Sequence, residues 1–288
     1  MTLARYEVFN TVVELKSITK AAASLNLTQS AVSYSIANLE SELGFPLLIR
    51  SRSGITLTNN GERILNHTRT ILHWEEKMKQ EVAQINGLAI GTLRIAAFPG
   101  VCIQWLPKFM KYFKKEYPSI EVKIFQGGFR DIEKWIMNGD VDFGFVALPT
   151  LDTFETIPLK VDRMLCILPP THPLCRHEKI HLKQLEEESF VILKSGYDND
   201  LKRIIHESGV TLNIKFEMAD VQSIISMVEH ELGVSIIPEL VLQGLSNKIS
   251  IHGLEPEQLR TIAIAAISFK EISPAARTFI DYAKSMLE

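Results

Sequence analysis

The chain has 288 residues, 46% hydrophobic and 23% charged, which allows two or three compact units and excludes a disordered polar chain. Its net charge of −3 excludes polyanion binding by the chain as a whole, so any nucleic-acid contact has to be local and geometric. No apolar run is long enough to span a bilayer, no secretory segment opens the sequence, and three irregularly spaced cysteines make no disulfide framework, so a cytoplasmic protein without membrane contact is expected.

In chain order, Leu3, Tyr6, Phe9, Val12, Val13 and Leu15 recur at helical spacing and predict an amphipathic first helix. Ser17 or Thr19 can cap a second, alanine-rich helix, whose small side chains let another helix approach closely. Asn26 and Leu27 make a tight turn, and Thr28 caps a third helix beginning at Gln29. On that helix Ala31, Val32, Ile36, Leu39 and Leu43 are expected to face inward, with Gln29, Ser30, Ser33, Tyr34 and Asn38 outward. Two short helices with a polar outer face on the second are the parts of a helix-turn-helix, and Gln and Ser suit hydrogen bonding to base edges. Any small helical bundle can expose such residues, so the next segment matters. Gly44 ends the helix, and 47–58 reads as two short strands around a turn, a wing on which Arg50 and Arg52 project to one side, toward phosphates.

Phe9 through Gly61 resembles the DNA-binding domain of the LysR-type transcriptional regulators, in particular at Ser17-Ile18-Thr19-Lys20-Ala21-Ala22, Gln29-Ser30-Ala31-Val32-Ser33, Leu39-Glu40 and Leu57-Thr58-Asn59-Asn60-Gly61. The resemblance implies a sequence-specific regulator, not an enzyme, that binds an interrupted palindrome in double-stranded DNA as dimers assembled into tetramers and meets RNA polymerase where it activates. By position it assigns Gln29, Ser30, Ser33 and Tyr34 to base reading. Thr28, Lys20, Arg50 and Arg52 fall at phosphate contacts.

Asn59 and Glu62 are spaced as a capping box for a long fourth helix. Along it Ile64, Ile71, Met78 and Ile85 repeat every seven residues, supported by Leu65, Leu72 and Val82, which is the seam of a coiled coil and predicts dimerisation. Gly87 and Gly91 mark its end and a hinge. The expected division is 1–58 for the winged helix-turn-helix, 59–87 for the linker helix and 88–288 for a sensor domain.

Beyond Gly91 strands and helices alternate: strands at 92–97, 122–125 and 141–146, helices at 103–113 (closed by Pro118) and 131–137, then a second set from Arg163. The second set has strands at 190–193, 214–217 and 234–238, and helices over 198–208 and from Asp220. A last strand at 261–267 and a helix over 274–286 follow and are expected to return to the first set. This predicts two α/β lobes around a crevice, about 91–161 plus 268–288 and about 162–267. Phe113 with Tyr117-Pro118, Gly139-Asp140-Val141-Asp142, His172-Pro173-Leu174 and Leu232-Gly233-Val234-Ser235-Ile236-Ile237-Pro238 resemble the effector domain of the same family, a type 2 periplasmic-binding-protein-like fold.

Ligands of such folds sit at strand C-termini and helix N-termini, where backbone N–H groups favour anions. That rule nominates Phe98, Pro99, Gly100, Val101 and Cys102 after the first strand, Gln126 and Gly127 after the second, Phe145 in the third, and Ser195, Gly196 and Tyr197 in the second lobe. Relatives often place a hydroxyl after the first strand to hold a carboxylate. Phe-Pro-Gly supplies none, which leaves open an anionic effector held by backbone N–H groups or a more apolar ligand. Cys102 near a helix start would suit thiol-based redox sensing, although with no partner cysteine suitably spaced a buried, inert thiol is the simpler reading. His172, Cys175 and His177 straddle a turn and make a poor metal set, and no cofactor is expected. No nucleophile elbow, Walker loop, HExxH or dinucleotide fingerprint is present, and Asp140 and Asp142 are expected in turn or solvent roles. A solute-binding protein is the rival reading for 92–288 alone.

Overall fold

In the computed structural model, residues 2–51, 54–194, 199–244 and 248–287 are described. Helices α1 (Leu3–Leu15), α2 (Ile18–Ser24) and α3 (Gln29–Leu43) close around Phe9, Val12, Val32, Ile36 and Leu39, all fully buried. Ala21 and Ala22 sit where α2 presses on its neighbours, as small side chains allow. The Ser17 hydroxyl accepts from Lys20 N, and Thr28 Oγ1 accepts from Ala31 N at 3.1 Å, so both short helices begin on a side-chain cap. Gly44 ends α3 in the left-handed region at φ 79°.

The wing is strands β1 (Leu48–Ser51) and β2 (Gly54–Leu57), antiparallel with Leu48 opposite Leu57. Its root is tied to α3, because Glu40 Oε1 accepts from Leu47 N at 2.7 Å and Leu48 N at 3.1 Å. The linker helix α4 (Asn59–Ile85) crosses beside it. At Gly61 a Cβ would lie 2.1 Å from Leu47 O, so only glycine fits that crossing. The cap of α4 is Thr58, whose Oγ1 accepts from Gly61 N at 2.9 Å, rather than Asn59: the helix starts at the position expected to cap it.

With 27 residues α4 is about 40 Å long. Its first half packs on α1, where Asn10 Nδ2 donates to Thr68 Oγ1 at 3.1 Å. Its second half packs on the C-terminal domain through Gln80, which is 2% exposed. Gln80 Nε2 donates to Thr92 O at 3.1 Å, and its Oε1 accepts from Ala275 N at 3.3 Å.

The C-terminal domain begins with β3 (Gly91–Ala97), α5 (Pro99–Gln104), α6 (Leu106–Glu116), β4 (Ile120–Gln126), α7 (Phe129–Met137) and β5 (Phe143–Leu148). The single helix expected at 103–113 is two, broken at Trp105. Pro107 lacks an N–H and is accommodated in the first turn of α6. There follow β6 (Glu155–Leu168), β7 (Lys179–His181), β8 (Ser189–Leu193), α8 (Asn199–Ser208), β9 (Asn213–Met218), α9 (Val221–Glu229), β10 (Ser235–Pro238), α10 (Glu239–Leu242), β11 (Ser250–Ala266) and α11 (Pro274–Ser285).

One sheet runs in the order β10-β6-β11-β5-β3-β4, with β3 parallel to β4 and β5, and β11 antiparallel to β5 and β6. The long strands β6 and β11 belong to both lobes. Near Ile157 and Ile264 they lie in the first lobe, and near Cys166 and Leu254 in the second. The stretch Ile262, Ala263, Ile264, Ala265 and Ala266 packs in the first-lobe core with Phe143, Phe145 and Phe279. β11 changes lobes near Arg260, well before its end, so the strand expected at 261–267 lies with the first lobe and the second lobe's bound moves from 267 back to about 260. The second lobe adds a parallel pair, β8 with β9, and packs on both faces of its strands. No helix among the described residues is long and apolar enough to cross a membrane.

Candidate functional site

Two surfaces carry the expected chemistry. On the first, α3 presents Gln29 and Ser30 exposed, Ser33 half-buried and Tyr34 71% exposed. Thr28 and Ser30 share a hydroxyl hydrogen bond at 3.0 Å just ahead of the helix. Ala31 is exposed rather than inward-facing, because it occupies the first turn, beyond the reach of the α1 packing. Lys20 on α2 and Arg50 on β1 are exposed beside this helix, while Arg52 lies outside the described residues. A capped helix with an exposed polar N-terminal turn has the dimensions and donors to enter a major groove, and Lys20 and Arg50 are exposed cations on the elements around it.

Along α4, Ile71, Trp74, Met78, Val82 and Ile85 form an exposed apolar stripe, with Ile85 82% exposed. Ile64, expected in the same seam, is half-buried against the winged-helix core, and Leu65 is 5% exposed there. The first heptad thus faces its own domain, and the three later members face out.

The second surface is the crevice between the lobes, a cavity of about 310 Å³. From the first lobe it is lined by Phe98, Pro99, Gly100, Ile103, Gln126, Gly128 and Phe129, and from the second by residues of β8, α8, α9, β10 and α10. Of the residues nominated for an effector, Phe98, Pro99, Gly100 and Gln126 line it. Four other nominees do not line it. Val101 is fully buried in the first-lobe core, one helical step from the crevice face. Cys102 turns its Sγ to Ala97 O at 3.6 Å, and burial pushes its thiol up to about 11. Gly127 packs against Trp135, whose ring would be 2.7 Å from a Cβ there. Phe145 is fully buried, its ring edge-on to Trp105 with centroids 6.3 Å apart. Ser195, Gly196 and Tyr197 lie outside the described residues.

Sequence reading missed the ionic floor of the crevice. Arg260 on β11 donates from Nε and Nη2 to Asp162 Oδ2, at 2.9 and 2.7 Å, and from Nη1 to Asp200 Oδ2 at 3.2 Å. Asp162 Oδ1 also accepts from Leu240 N at 3.0 Å. All three charged residues are at least nine-tenths buried. An arginine within a strand, two residues before the apolar run Ile262 to Ala266, needs buried partners, and that is the signal that could have found it. At the N-terminus of α9, Asp220 accepts from Ser223 N and from Ser223 Oγ, both at 2.8 Å, which holds its carboxyl below the usual range.

Away from the crevice, Asp142 is not a solvent residue. It is 8% exposed, accepts from Arg94 N at 2.7 Å, and is pushed up by burial. His172 Nε2 meets Glu188 at 3.2 Å and Cys175 Sγ donates to Pro169 O at 3.3 Å. No group of three or more metal-ligating side chains is found among the described residues.

Comparisons with known proteins agree with this arrangement. Residues 3–62 match the family model described as a bacterial regulatory helix-turn-helix protein of the lysR family, and residues 86–288 match the LysR substrate binding domain. The HTH-type transcriptional regulator YvbU of Bacillus subtilis (strain 168) is 35% identical over 289 residues, covering 99% of both chains. The HTH-type transcriptional activator CmpR of Synechocystis sp. is 28% identical over 98% of this chain and 94% of its own. A full-length OxyR variant from Pseudomonas aeruginosa shares the fold with a TM-score of 0.80 at 23% identity, covering 100% of this chain and 94% of that one. HinK, a LysR family transcriptional regulator from Pseudomonas aeruginosa, gives a TM-score of 0.61 at 26% identity over 99% and 98%. With a helix-turn-helix reader at one end, a two-lobed effector-binding domain at the other and relatives that match from end to end, the chain belongs to the LysR family of transcriptional regulators.

Proposed function

We propose that Gln29, Ser30, Ser33 and Tyr34 read base edges in the major groove while Thr28, Lys20, Arg50 and Arg52 hold phosphates. The observation that supports this most directly is the exposed polar half of α3 beside exposed Lys20 and Arg50. Two such readers, paired through Ile71, Met78 and Ile85 on α4, would meet the two halves of an interrupted palindrome, because a fixed separation of recognition helices selects a fixed half-site spacing. Pairs of dimers then form a tetramer. An effector in the crevice favours one arrangement of the lobes, changes how the dimers sit on DNA and alters contact with RNA polymerase at activated promoters. In this reading 1–58 is the reader, 59–87 the dimerising linker and 88–288 the sensor. No catalytic step is proposed.

Two finer expectations are not carried forward. An anionic effector is disfavoured in the crevice: carboxylates already meet the N-termini of α9 and α7, the short α5 opens on Pro99, which has no N–H, and Arg260 is taken up by Asp162 and Asp200. Redox sensing through Cys102 is disfavoured by a thiol raised to about 11, because the thiolate is the reactive form.

The test is binding to a library of operator variants by fluorescence anisotropy at several salt concentrations. Arg50→Ala should weaken every sequence alike and reduce the salt slope by about 1, while Gln29→Ala and Ser33→Ala should mainly relax sequence preference. A uniform loss from all three would remove the base-reading assignment.

A further inference from the structure

The walls of the crevice are mainly apolar, with Phe98, Ile103, Phe129, Leu193, Ile237 and Val241 around it. Among the described lining residues Arg260 is the basic one, and it is not available to a ligand. Three of its nitrogens donate to Asp162 and Asp200, and its guanidinium carbon sits 5.3 Å from the centroid of the Phe98 ring. One cation thus faces two carboxylates. Asp162 has both oxygens engaged, Oδ1 by Leu240 N and Oδ2 by Arg260. Asp200 does not: its Oδ2 meets Arg260, whereas its Oδ1 accepts no hydrogen bond among the described residues. Asp200 is 5% exposed and lines the crevice, so an oxygen of its carboxylate is left for an occupant to meet.

Two helix N-termini at the crevice, which would ordinarily attract an anion, are filled from within, and a third, that of the short α5, opens on Pro99, which has no N–H. The Asp220 carboxylate caps α9, and Asp131 Oδ2 accepts from Gly128 N at the start of α7, at 3.1 Å. A carboxylate ligand would meet Asp200 and Asp220 with no uncommitted cation among the described lining residues to offset them, in a cavity whose low polarity strengthens the repulsion.

We propose that the crevice takes a small, largely apolar amine in its ammonium form, with its N–H groups directed at Asp200 Oδ1, and rejects the matching carboxylate. The proposal rests on the crevice being the effector site. It fixes the charge class of the effector and leaves its skeleton to the apolar walls, and 310 Å³ is at the small end of ligand pockets.

The test is isothermal titration of the full-length protein at pH 7.5 with three matched sets of ligands. Phenylpropyl, cyclohexylmethyl and n-hexyl bodies would each carry an amine, a hydroxyl or a carboxylate. In at least one set the amine should bind at least tenfold more tightly than the alcohol and the carboxylate. Asp200→Asn, which keeps the shape and removes the charge, should erase that preference without lowering affinity for the alcohol. Val241→Trp, which fills the crevice from a half-buried position, should abolish binding of every member. A carboxylate or alcohol that equals the amine and is blocked by Val241→Trp overturns the ammonium assignment and keeps the crevice as the sensor. Amine binding that persists in Val241→Trp overturns the crevice reading itself. Absence of binding by all three amines overturns the ammonium assignment.

Discussion

Arg69 on the linker helix and Asp140 on the first lobe form an ion pair, Nη1 to Oδ1 at 2.7 Å, across the junction between the DNA reader and the sensor. The two halves are not symmetric. Burial pushes the Asp140 carboxyl up and Arg69 works against that shift, so the arginine compensates a charge the fold would otherwise disfavour. Arg69→Ala should therefore destabilise the chain by about 1 kcal/mol, and Asp140→Asn by less, because asparagine leaves no buried charge behind. Urea unfolding of the two variants checks the order, and equal losses would show that the pair acts only through surface attraction.

Gln80 has the larger effect expected at the same junction. Its amide bridges Thr92 O and Ala275 N from a nearly buried position, so Gln80→Ala leaves a carbonyl and an N–H without partners. The expected loss is about 2 kcal/mol, from about 1–3 kcal/mol for each buried group left unpaired, part of which water entering the gap recovers. Thermal unfolding should show it, and Gln80→Glu should recover only the Ala275 contact.

The exposed stripe on α4 predicts oligomeric state. Replacing Met78 and Ile85 together by Glu should convert dimers to monomers in light scattering and reduce operator affinity by at least tenfold, since one half-site would then be bound at a time. Ile64→Ala should leave the dimer intact and lower stability instead, because that side chain packs on its own winged-helix core.

Cys102 predicts a pH dependence with a definite sign. Its thiol is raised from 9.0 to about 11, so the reactive thiolate appears only above the range where an ordinary cysteine reacts. The folded state prefers the protonated form, and stability falls as pH rises from 9 toward 11. Iodoacetamide labelling followed by mass spectrometry should find Cys102 at less than a tenth of the rate of an unstructured thiol at pH 8, with the gap closing near pH 11. Fast labelling at pH 8 would restore the redox reading.

Much of this molecule is legible in its sequence, for reasons that differ by region. The reader is local: periodic apolar positions, the caps Ser17 and Thr28, and Gly44 each act within one or two turns. The crevice is non-local, and there the sequence indicates one wall better than the other. Phe98, Pro99 and Gly100 follow a strand and Gln126 ends one, and both strand ends are visible in the pattern. Val101 and Cys102 fail because the segment after β3 is a helix, whose period turns them inward. Asp200 and Arg260 are 60 residues apart and meet through packing of α8 on β11, which no local pattern encodes. The length of β6 and β11 is equally hidden. Lys160, Asp162 and Arg163 interrupt one apolar run where the strands pass from lobe to lobe, and Glu255, Pro256 and Glu257 interrupt the other just before that passage, in the register shift after Gly253.

That passage has a mechanical consequence. The lobes are joined by two hydrogen-bonded strands lying side by side, with register shifts between Gly253 and Gln258 and between Ile262 and Ala263, instead of by a slack loop at each crossing. Such a joint bends as a pair of leaf springs does: it has a rest position, it returns to it, and small twists are far easier than wide opening. On the proposed function, an occupant of the crevice would work against that elasticity, and the response expected at α4, which Gln80 braces to the first lobe, is a modest rotation.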